Sequence, residues 1–243
     1  HAAHDTCLFG GVFQHRFDGV NRCLKQMIDE GAFGTVLTAT MQLRCYRAPG
    51  YYQDYWHGTW EREGGSVLIN QAIHFVDTVT WLMGGVASIA AHYDNRGHVG
   101  QIETEDVLTA SVRYAGGALG TLEAISASNL NWEHTIAIHG TEGSVDIRDG
   151  KPVKVKFTDD QTTEAMQARL DQANDPSGVE SGKSYYGSGH PAQIADMVEA
   201  VRDRREPFVT GESAAQTVRV VLGAYESHRT GKRVTLAGSE AAV

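Results

Sequence analysis

Six short apolar segments separated by turn sequences lie between residues 86 and 157, and they constrain the fold more than any other feature of the sequence. They cover residues 86–94, 107–114, 118–128, 134–139, 144–148 and 153–157. Segments of this length, bounded by glycine-containing turns, are typical of β-strands. Because the links between neighbours are short, the pattern favours antiparallel pairing.

Helical patterns flank these segments. Residues 19–30 carry apolar side chains at a helical period, and residues 35–44 alternate between polar and apolar side chains as a half-buried strand does. Further helices are predicted within residues 65–83 and 159–174 and around the apolar stripes at 194–201 and 218–225.

Strands in a run, followed by helices, predict an α+β fold, a large, mainly antiparallel open sheet with helices on one face. The other face must be polar or covered by a partner. We therefore expect a homodimer or homotetramer that forms through the sheet face.

Charge and cysteine content restrict the partners and the compartment. The chain has 21 basic and 30 acidic residues and a formal charge of −9, which argues against nucleic acid or an anionic membrane as a partner. No apolar stretch approaches the roughly 20 residues of a membrane span. Cys7, Cys23 and Cys45 show no Cys-x-x-Cys spacing, so we expect free thiols and a cytoplasmic location.

The segment after Gly64-Gly65 contains the best candidate for chemistry. Asn70, His74 and Asp77 follow one another at i, i+4 and i+7, a polar stripe on an otherwise apolar helix. Burying these groups together is costly unless they bond to one another or to a ligand. Imidazole is also the commonest general acid or base. The alternative is a core histidine whose hydrogen bonds are satisfied.

A metal site is a third interpretation of His74 and Asp77, since both can ligate. The other histidines are scattered, and His134 and His139 point to opposite sides of one strand. We therefore predict no metal site.

The loop at residues 44–60 is rich in aromatic residues, with four of the nine tyrosines and two of the four tryptophans. Aromatic rings interleaved with Arg and Asp suit a sugar, because the rings stack on its C–H faces and the forked donors bind hydroxyls. Alternatively, the loop covers the edge of the core with its aromatic side chains.

Taken together, these residues resemble the C-terminal domain of the Gfo/Idh/MocA oxidoreductases, the glucose-fructose oxidoreductase and inositol dehydrogenase family. The matching stretches occur in the same order over nearly the whole chain, at 13–17, 31–36, 47–52, 56–60, 64–77, 105–106, 116–120, 140–144, 207–211, 225–227 and 231–232.

The resemblance implies site residues. The family carries Asp/Asn-x-x-x-His on the helix after the Gly-Gly turn, with His as general acid/base, which corresponds to Asn70 and His74. An Asn at position 70 can orient the neighbouring groups by hydrogen bonds but cannot take up a proton. Asp77 is expected to hold the His74 ring from behind. The remaining residues implied to bind substrate are Arg16, Arg47, Tyr52 and Trp60.

The resemblance also implies a cofactor, NAD or NADP, bound mainly by an N-terminal Rossmann domain. No Gly-x-Gly-x-x-Gly follows a strand here, and the family's Glu-Lys-Pro tripeptide does not occur. We therefore expect residues 1–16 to be the end of a Rossmann domain and residues 17–243 to form a domain for substrate binding and oligomerisation.

Two functions are consistent with these observations. The first is the substrate and oligomerisation part of an NAD(P)-dependent oxidoreductase that acts on a sugar, cyclitol or nucleotide-sugar hydroxyl, inactive as this chain alone. The second is a non-catalytic module on the same scaffold that binds a sugar or a partner.

Overall fold

The computed structural model describes residues 7–130, 132–174 and 187–236. Its centre is one eight-stranded sheet in the order β7-β6-β5-β1-β4-β3-β2-β8. The strands are β1 Val36–Arg44, β2 Val86–Asp94, β3 Val107–Tyr114, β4 Leu119–Ile125, β5 Glu133–Gly140, β6 Gly143–Arg148, β7 Lys151–Phe157 and β8 Val234–Thr235. The predicted strands are thereby confirmed.

All neighbouring strands pair antiparallel except β1 and β4, which run parallel with Thr38 opposite Leu119. Short links force neighbours such as β3 and β4 to pair antiparallel. A long connection separates β1 from β4, and a connection of that length permits parallel pairing.

Within the described residues, five helices accompany the sheet. They are α1 Gly19–Asp29, α2 Ile73–Leu82, α3 Asp160–Ala173, α4 His190–Asp203 and α5 Gly211–Thr230. One turn with π-helical hydrogen bonding, Val67–Ala72, leads into α2, and 3₁₀ turns lie at Gln14–Phe17 and Pro49–Tyr52. Helix α2 packs on β1, α3 on β7 and α5 on β2, while α1 packs on α2 and α3.

The core lies between the sheet and these helices. On β3, Leu108, Ala110 and Val112 are buried, while Thr109 and Ser111 between them are exposed. This period-two burial confirms the open sheet with helices on one face.

The outer face of the sheet is polar near its middle. On this face the Arg44 guanidinium donates to the Glu123 carboxylate at 3.0 Å, and the Gln42 amide donates to the same carboxylate at 3.3 Å. Half-buried polar and charged side chains of this kind make this part of the outer face hydrophilic.

The apolar stripe on α4 differs from the simplest expectation for an amphipathic helix. Ile194, Val198 and Val201 are 64%, 63% and 61% exposed. Helix α4 packs on the 3₁₀ turn at Gln14–Phe17 rather than on the sheet, which leaves the stripe uncovered within the described residues.

Candidate active site

Two glycines make the turn that starts the site. Gly64 has φ +80°, which favours glycine, and a Cβ on Gly65 would lie 2.0 Å from the Tyr225 hydroxyl oxygen. The pair therefore allows the backbone to turn tightly against α5.

A buried carboxylate fixes the helical segment that follows. Glu105 is fully buried and accepts hydrogen bonds from the Ser66 amide at 3.1 Å, the Leu68 amide at 3.0 Å and the Tyr225 hydroxyl at 2.8 Å. The two amides belong to the first turn of the helical segment and have no acceptor within it. Burial raises the pKa of Glu105, and the three donors oppose this shift.

A cavity of about 300 Å³ opens beside this segment. This volume is at the lower end of the range for small-molecule sites. Polar, aromatic and histidine side chains line it, namely Gln14, His15, Arg47, Tyr51, Asn70, Gln71, His74, Phe75, Trp132 and His190. Three of the residues predicted for the site, Arg47, Asn70 and His74, thus share one cavity.

His74 lies in the cavity wall with an unsatisfied ring nitrogen. Its Nδ1 is buried and has no hydrogen-bond partner. Burial, with smaller contributions from His15 and His190, lowers the pKa of His74 to about 4. The ring is therefore neutral at pH 7 and able to accept a proton.

Asn70 and Gln71 form a polar group with Tyr51. The Asn70 amide donates to the Glu63 carboxylate at 2.5 Å, and the Gln71 amide donates to the Tyr51 hydroxyl at 3.2 Å. The side-chain oxygen of Gln71 is buried without a partner. Together with Nδ1 of His74, it gives the cavity two unsatisfied polar atoms, which a ligand can satisfy.

Arg47 brings the cation to the cavity. Its guanidinium lies 4.8 Å from the ring centres of both Tyr51 and Trp132. Its carbonyl oxygen is 2.8 Å from Nε2 of His98, whose Nδ1 is 3.0 Å from the buried Asp106 carboxylate. Asp106 and His98 thus anchor the main chain that presents the guanidinium.

The structure separates Asp77 from the His74 ring. The Asp77 carboxylate accepts two hydrogen bonds from Arg16, at 2.6 and 2.7 Å, and one from the Thr217 hydroxyl at 2.7 Å. No hydrogen bond joins Asp77 to the ring, so the expectation that Asp77 holds His74 is wrong. Residues 74 and 77 lie only about 60° apart around an α-helix. The Asp77 carboxylate is nevertheless taken up by Arg16 of the 3₁₀ turn and Thr217 of α5, which satisfy it.

Arg16 is likewise outside the cavity lining. Its guanidinium is buried between Asp77 and Ser213 and is 4% exposed. Arg16 thus holds the 3₁₀ turn against α2 and α5. This contact differs from the substrate contact that the resemblance implies.

Tyr52 and Trp60 also point elsewhere. The Tyr52 hydroxyl is buried 3.3 Å from the Ser126 hydroxyl, and the Trp60 indole donates to the Glu103 carbonyl at 3.0 Å. Neither side chain lines the cavity; Tyr51 lines it instead. Adjacent residues in a tight turn face different directions, and sequence alone did not say which tyrosine turns inward.

Sequence reasoning missed several lining residues. Gln14 and His15 precede Arg16 in the motif that carried the resemblance, and Gln71 follows Asn70. Proximity to these motif residues was the one feature of the sequence that could have indicated their place in the site. Trp132 and His190 are far away in sequence, and only the packing of β5 and α4 brings them to the cavity.

Metal clusters and membrane-spanning helices are both absent from the described residues. No group of three or more His, Cys, Asp or Glu side chains is arranged to hold a metal ion. In the same part of the chain, none of the helices combines the length and apolar character needed to cross a bilayer.

The sequence matches a known family. Residues 25–236 match the model of the Gfo/Idh/MocA oxidoreductase family, C-terminal alpha/beta domain. The chain therefore belongs to the Gfo/Idh/MocA oxidoreductases.

Curated relatives include enzymes that act on sugars and cyclitols. The chain is 22% identical to 1,5-anhydro-D-fructose reductase of Ensifer adhaerens, over 95% of the chain and 65% of the relative. It is 24% identical to scyllo-inositol 2-dehydrogenase (NAD(+)) of Bacillus subtilis, over 92% of the chain and 61% of the relative. The chain spans between 45% and 65% of the length of the curated relatives it matches.

Solved structures show the same fold. The WlbA dehydrogenase of Bordetella pertussis, in complex with NADH and UDP-GlcNAcA, superposes with a TM-score of 0.78 at 28% identity, over 93% of this chain and 63% of that one. Levoglucosan dehydrogenase in complex with NADH and levoglucosan superposes with a TM-score of 0.77 at 20% identity, over 95% of this chain and 66% of that one.

Proposed function

We propose that this chain is the substrate-binding and oligomerisation part of an NAD(P)-dependent oxidoreductase that acts on a sugar, cyclitol or nucleotide-sugar hydroxyl. The observation that carries the proposal is the buried, unpartnered Nδ1 of His74 in the wall of the cavity. An unsatisfied buried nitrogen is costly, and a substrate hydroxyl would satisfy it.

The surrounding residues suit a polyhydroxylated substrate. Tyr51 and Trp132 offer flat faces, Gln71 offers an unsatisfied carbonyl oxygen, and Arg47 offers a forked donor. A volume of about 300 Å³ favours a group the size of a monosaccharide over a whole dinucleotide. The cofactor would therefore be held mainly by residues outside this cavity.

His74 carries the proton chemistry in this proposal. Because its pKa is lowered to about 4, the ring enters the reaction neutral and takes the hydroxyl proton as the alcohol is oxidised. The nicotinamide supplies the hydride acceptor when bound. Asn70, whose amide is fixed by Glu63, keeps the cavity wall in place beside the ring.

The test is His74→Ala in the complete polypeptide that contains this chain. We expect kcat to fall by about 10²- to 10⁴-fold, the usual contribution of a general acid/base. Nicotinamide binding, measured by fluorescence titration, should change little. Gln161→Ala, on the exposed surface of α3 and away from both the cavity and the outer face of the sheet, is the control and should leave both quantities unchanged.

Equal losses of kcat and nicotinamide binding would instead assign His74 a structural role. By itself, the 243-residue chain is expected to give no turnover, because hydride transfer needs a bound nicotinamide. Saturable NADH production from a polyol by the purified chain would contradict this.

The exposed apolar surface on α4 supports a further part of the proposal, that another domain packs beside this one. Gln193 on α4 donates to the Gly11 carbonyl at 2.7 Å, so the stripe adjoins the exposed Phe9 and Val12. Contiguous apolar surface of this kind is typical of an interface. Of residues 1–16, the proposed end of the Rossmann domain, the first six lie outside the described residues.

The remaining parts of the proposal concern assembly and location. The polar outer face of the sheet would join two or four copies of the chain. The thiols of Cys7, Cys23 and Cys45 are free, which agrees with the reducing cytoplasm that we propose as its location.

A further inference from the structure

A second histidine in the cavity wall has a carboxylate partner. Nδ1 of His15 donates to Asp18 Oδ2 at 2.6 Å, and both side chains are largely buried. The other oxygen of Asp18 accepts from the Ser188 amide at 3.1 Å and from its hydroxyl at 3.2 Å. A Cβ on Gly187 would lie 2.9 Å from both His15 and Asp18, so glycine permits this close packing.

This arrangement fixes the tautomer of His15. A carboxylate only accepts, so Nδ1 carries the proton and Nε2 is left as the acceptor of the neutral ring. Nε2 is therefore the ring nitrogen that can exchange a proton with the cavity, while the Nδ1–H bond to Asp18 holds the ring in position.

His15 also lies between two spaces. It lines the 300 Å³ cavity together with His74, and it lines a smaller cavity of about 50 Å³ together with Asp18. The ring centres of His15 and His74 are 6.3 Å apart. At that spacing one hydroxyl or one water can hydrogen-bond to both rings, given bonds of about 3 Å.

We propose that His15, held by Asp18, is a second proton-transfer group of the cavity, which carries to solvent the proton that His74 takes from the substrate hydroxyl. The inference rests on the proposed function. In the oxidation, a hydride leaves the substrate carbon for the oxidised nicotinamide, and the hydroxyl proton goes to His74. His74 then passes the proton to His15 and returns to its neutral form, and His15 releases the proton to water.

The chemistry of the surroundings explains why two histidines are needed. Nδ1 of His74 has no hydrogen-bond partner, so nothing beside it holds a proton in place. The ring of His15, in contrast, is held by the Asp18 carboxylate. The titratable and charged groups that face His15 or line the two cavities are Asp18, His74, His134, His190, Arg47, Tyr51 and Asp149.

The test uses the complete polypeptide with its nicotinamide cofactor. We expect Asp18→Asn to lower kcat with little change in KM, because an amide can donate as well as accept and no longer fixes the Nδ1-protonated tautomer of His15. His15→Ala should lower kcat by about 10²-fold with little change in KM, and added imidazole should restore part of the rate. Asp160→Asn is the matched control, since Asp160 pairs with Lys156 at 2.6 Å on the exposed surface of α3 and should leave kcat and KM unchanged.

A readout independent of turnover is the tautomer of His15, measured by nitrogen NMR. We expect the Nδ1-protonated form in the unmodified protein and a loss of that preference in Asp18→Asn. An unchanged kcat in His15→Ala, or a lowered kcat that imidazole does not restore, in a protein that His74→Ala inactivates, would overturn this inference and leave the proposed function standing. Full activity of His74→Ala would overturn the proposed function itself.

Discussion

At the scale of single residues, the site depends on which buried polar groups have partners. Asp77 and Arg16 satisfy one another, so this buried pair offers nothing to a ligand. Nδ1 of His74 has no partner, and that difference distinguishes a candidate catalytic group from a structural one. The sequence placed His74 and Asp77 on one polar stripe and did not reveal which of the two would find hydrogen-bond partners.

The buried histidines predict how stability depends on pH. Burial lowers the pKa of His74 to about 4 and that of His134 to about 3, against about 6.5 in an unfolded chain. Between pH 6.5 and 4 the unfolded chain therefore binds more protons, so the free energy of unfolding falls as the pH falls. For His74 alone the loss is on the order of 3 kcal/mol.

Urea unfolding between pH 7 and pH 4 measures this effect. His134→Gln should flatten the decline of the unfolding free energy, because it removes one of the two groups. His139→Gln, a change to a half-exposed histidine on the same strand, should keep the full decline. Equal slopes for His134→Gln and the unmodified protein would contradict the explanation.

At the scale of elements, the helix that carries Asn70 and His74 is less regular than its periodicity indicates. The sequence predicted one helix within residues 65–83, and the structure gives a π-helical turn at Val67–Ala72 before α2. A π-helical turn contains more residues than an α-helical one, so it shifts the positions of side chains around the axis. Side-chain spacing alone does not reveal such a turn.

The three hydrogen bonds to Glu105 predict how much this carboxylate contributes to the stability of the segment at Val67–Ala72 and α2. Glu105→Ala removes the acceptor of three buried donors, each of which costs about 1 kcal/mol or more when unsatisfied, so we expect a loss of at least about 3 kcal/mol. Urea unfolding gives the value. Glu103→Ala, which changes an exposed residue of the same type two positions earlier, should cost far less.

The comparison of Glu105→Ala with Glu103→Ala can also contradict this explanation. If Glu105→Ala lost no more stability than Glu103→Ala, the start of the helical segment would not depend on the buried carboxylate.

At the scale of the whole molecule, two surfaces remain uncovered within the described residues. One is the apolar stripe on α4, and the other is the outer face of the sheet, which exposes Thr109, Ser111 and Thr121. A broad sheet face with short polar side chains packs closely against a second copy because few long side chains must be ordered.

The assembly proposal predicts a change in mass. Ser111→Arg with Thr121→Arg places two large cations on the outer face, and we expect analytical ultracentrifugation to show a dimer or tetramer for the unmodified protein and a monomer for the double variant. Gln161→Arg on α3 adds a similar cation away from the outer face of the sheet and should not change the mass. An assembly that persists in the double variant would place the interface elsewhere.

The sequence by itself determined the elements and the family. Alternation and turn residues gave the seven longer strands, and short links required antiparallel neighbours, because these properties depend on local backbone geometry. The Gly-Gly turn and the Asn-x-x-x-His spacing indicated the helix on which the site is built. These are features of consecutive residues.

Only the tertiary structure decided what each side chain meets. It directed Tyr51 into the cavity and Tyr52 away from it, paired Arg16 with Asp77, and brought Trp132 and His190 to the site from distant elements. The physical reason is that a hydrogen-bond partner or a cavity wall comes from residues far apart in sequence, and the packing of helices on the sheet determines which of them come together.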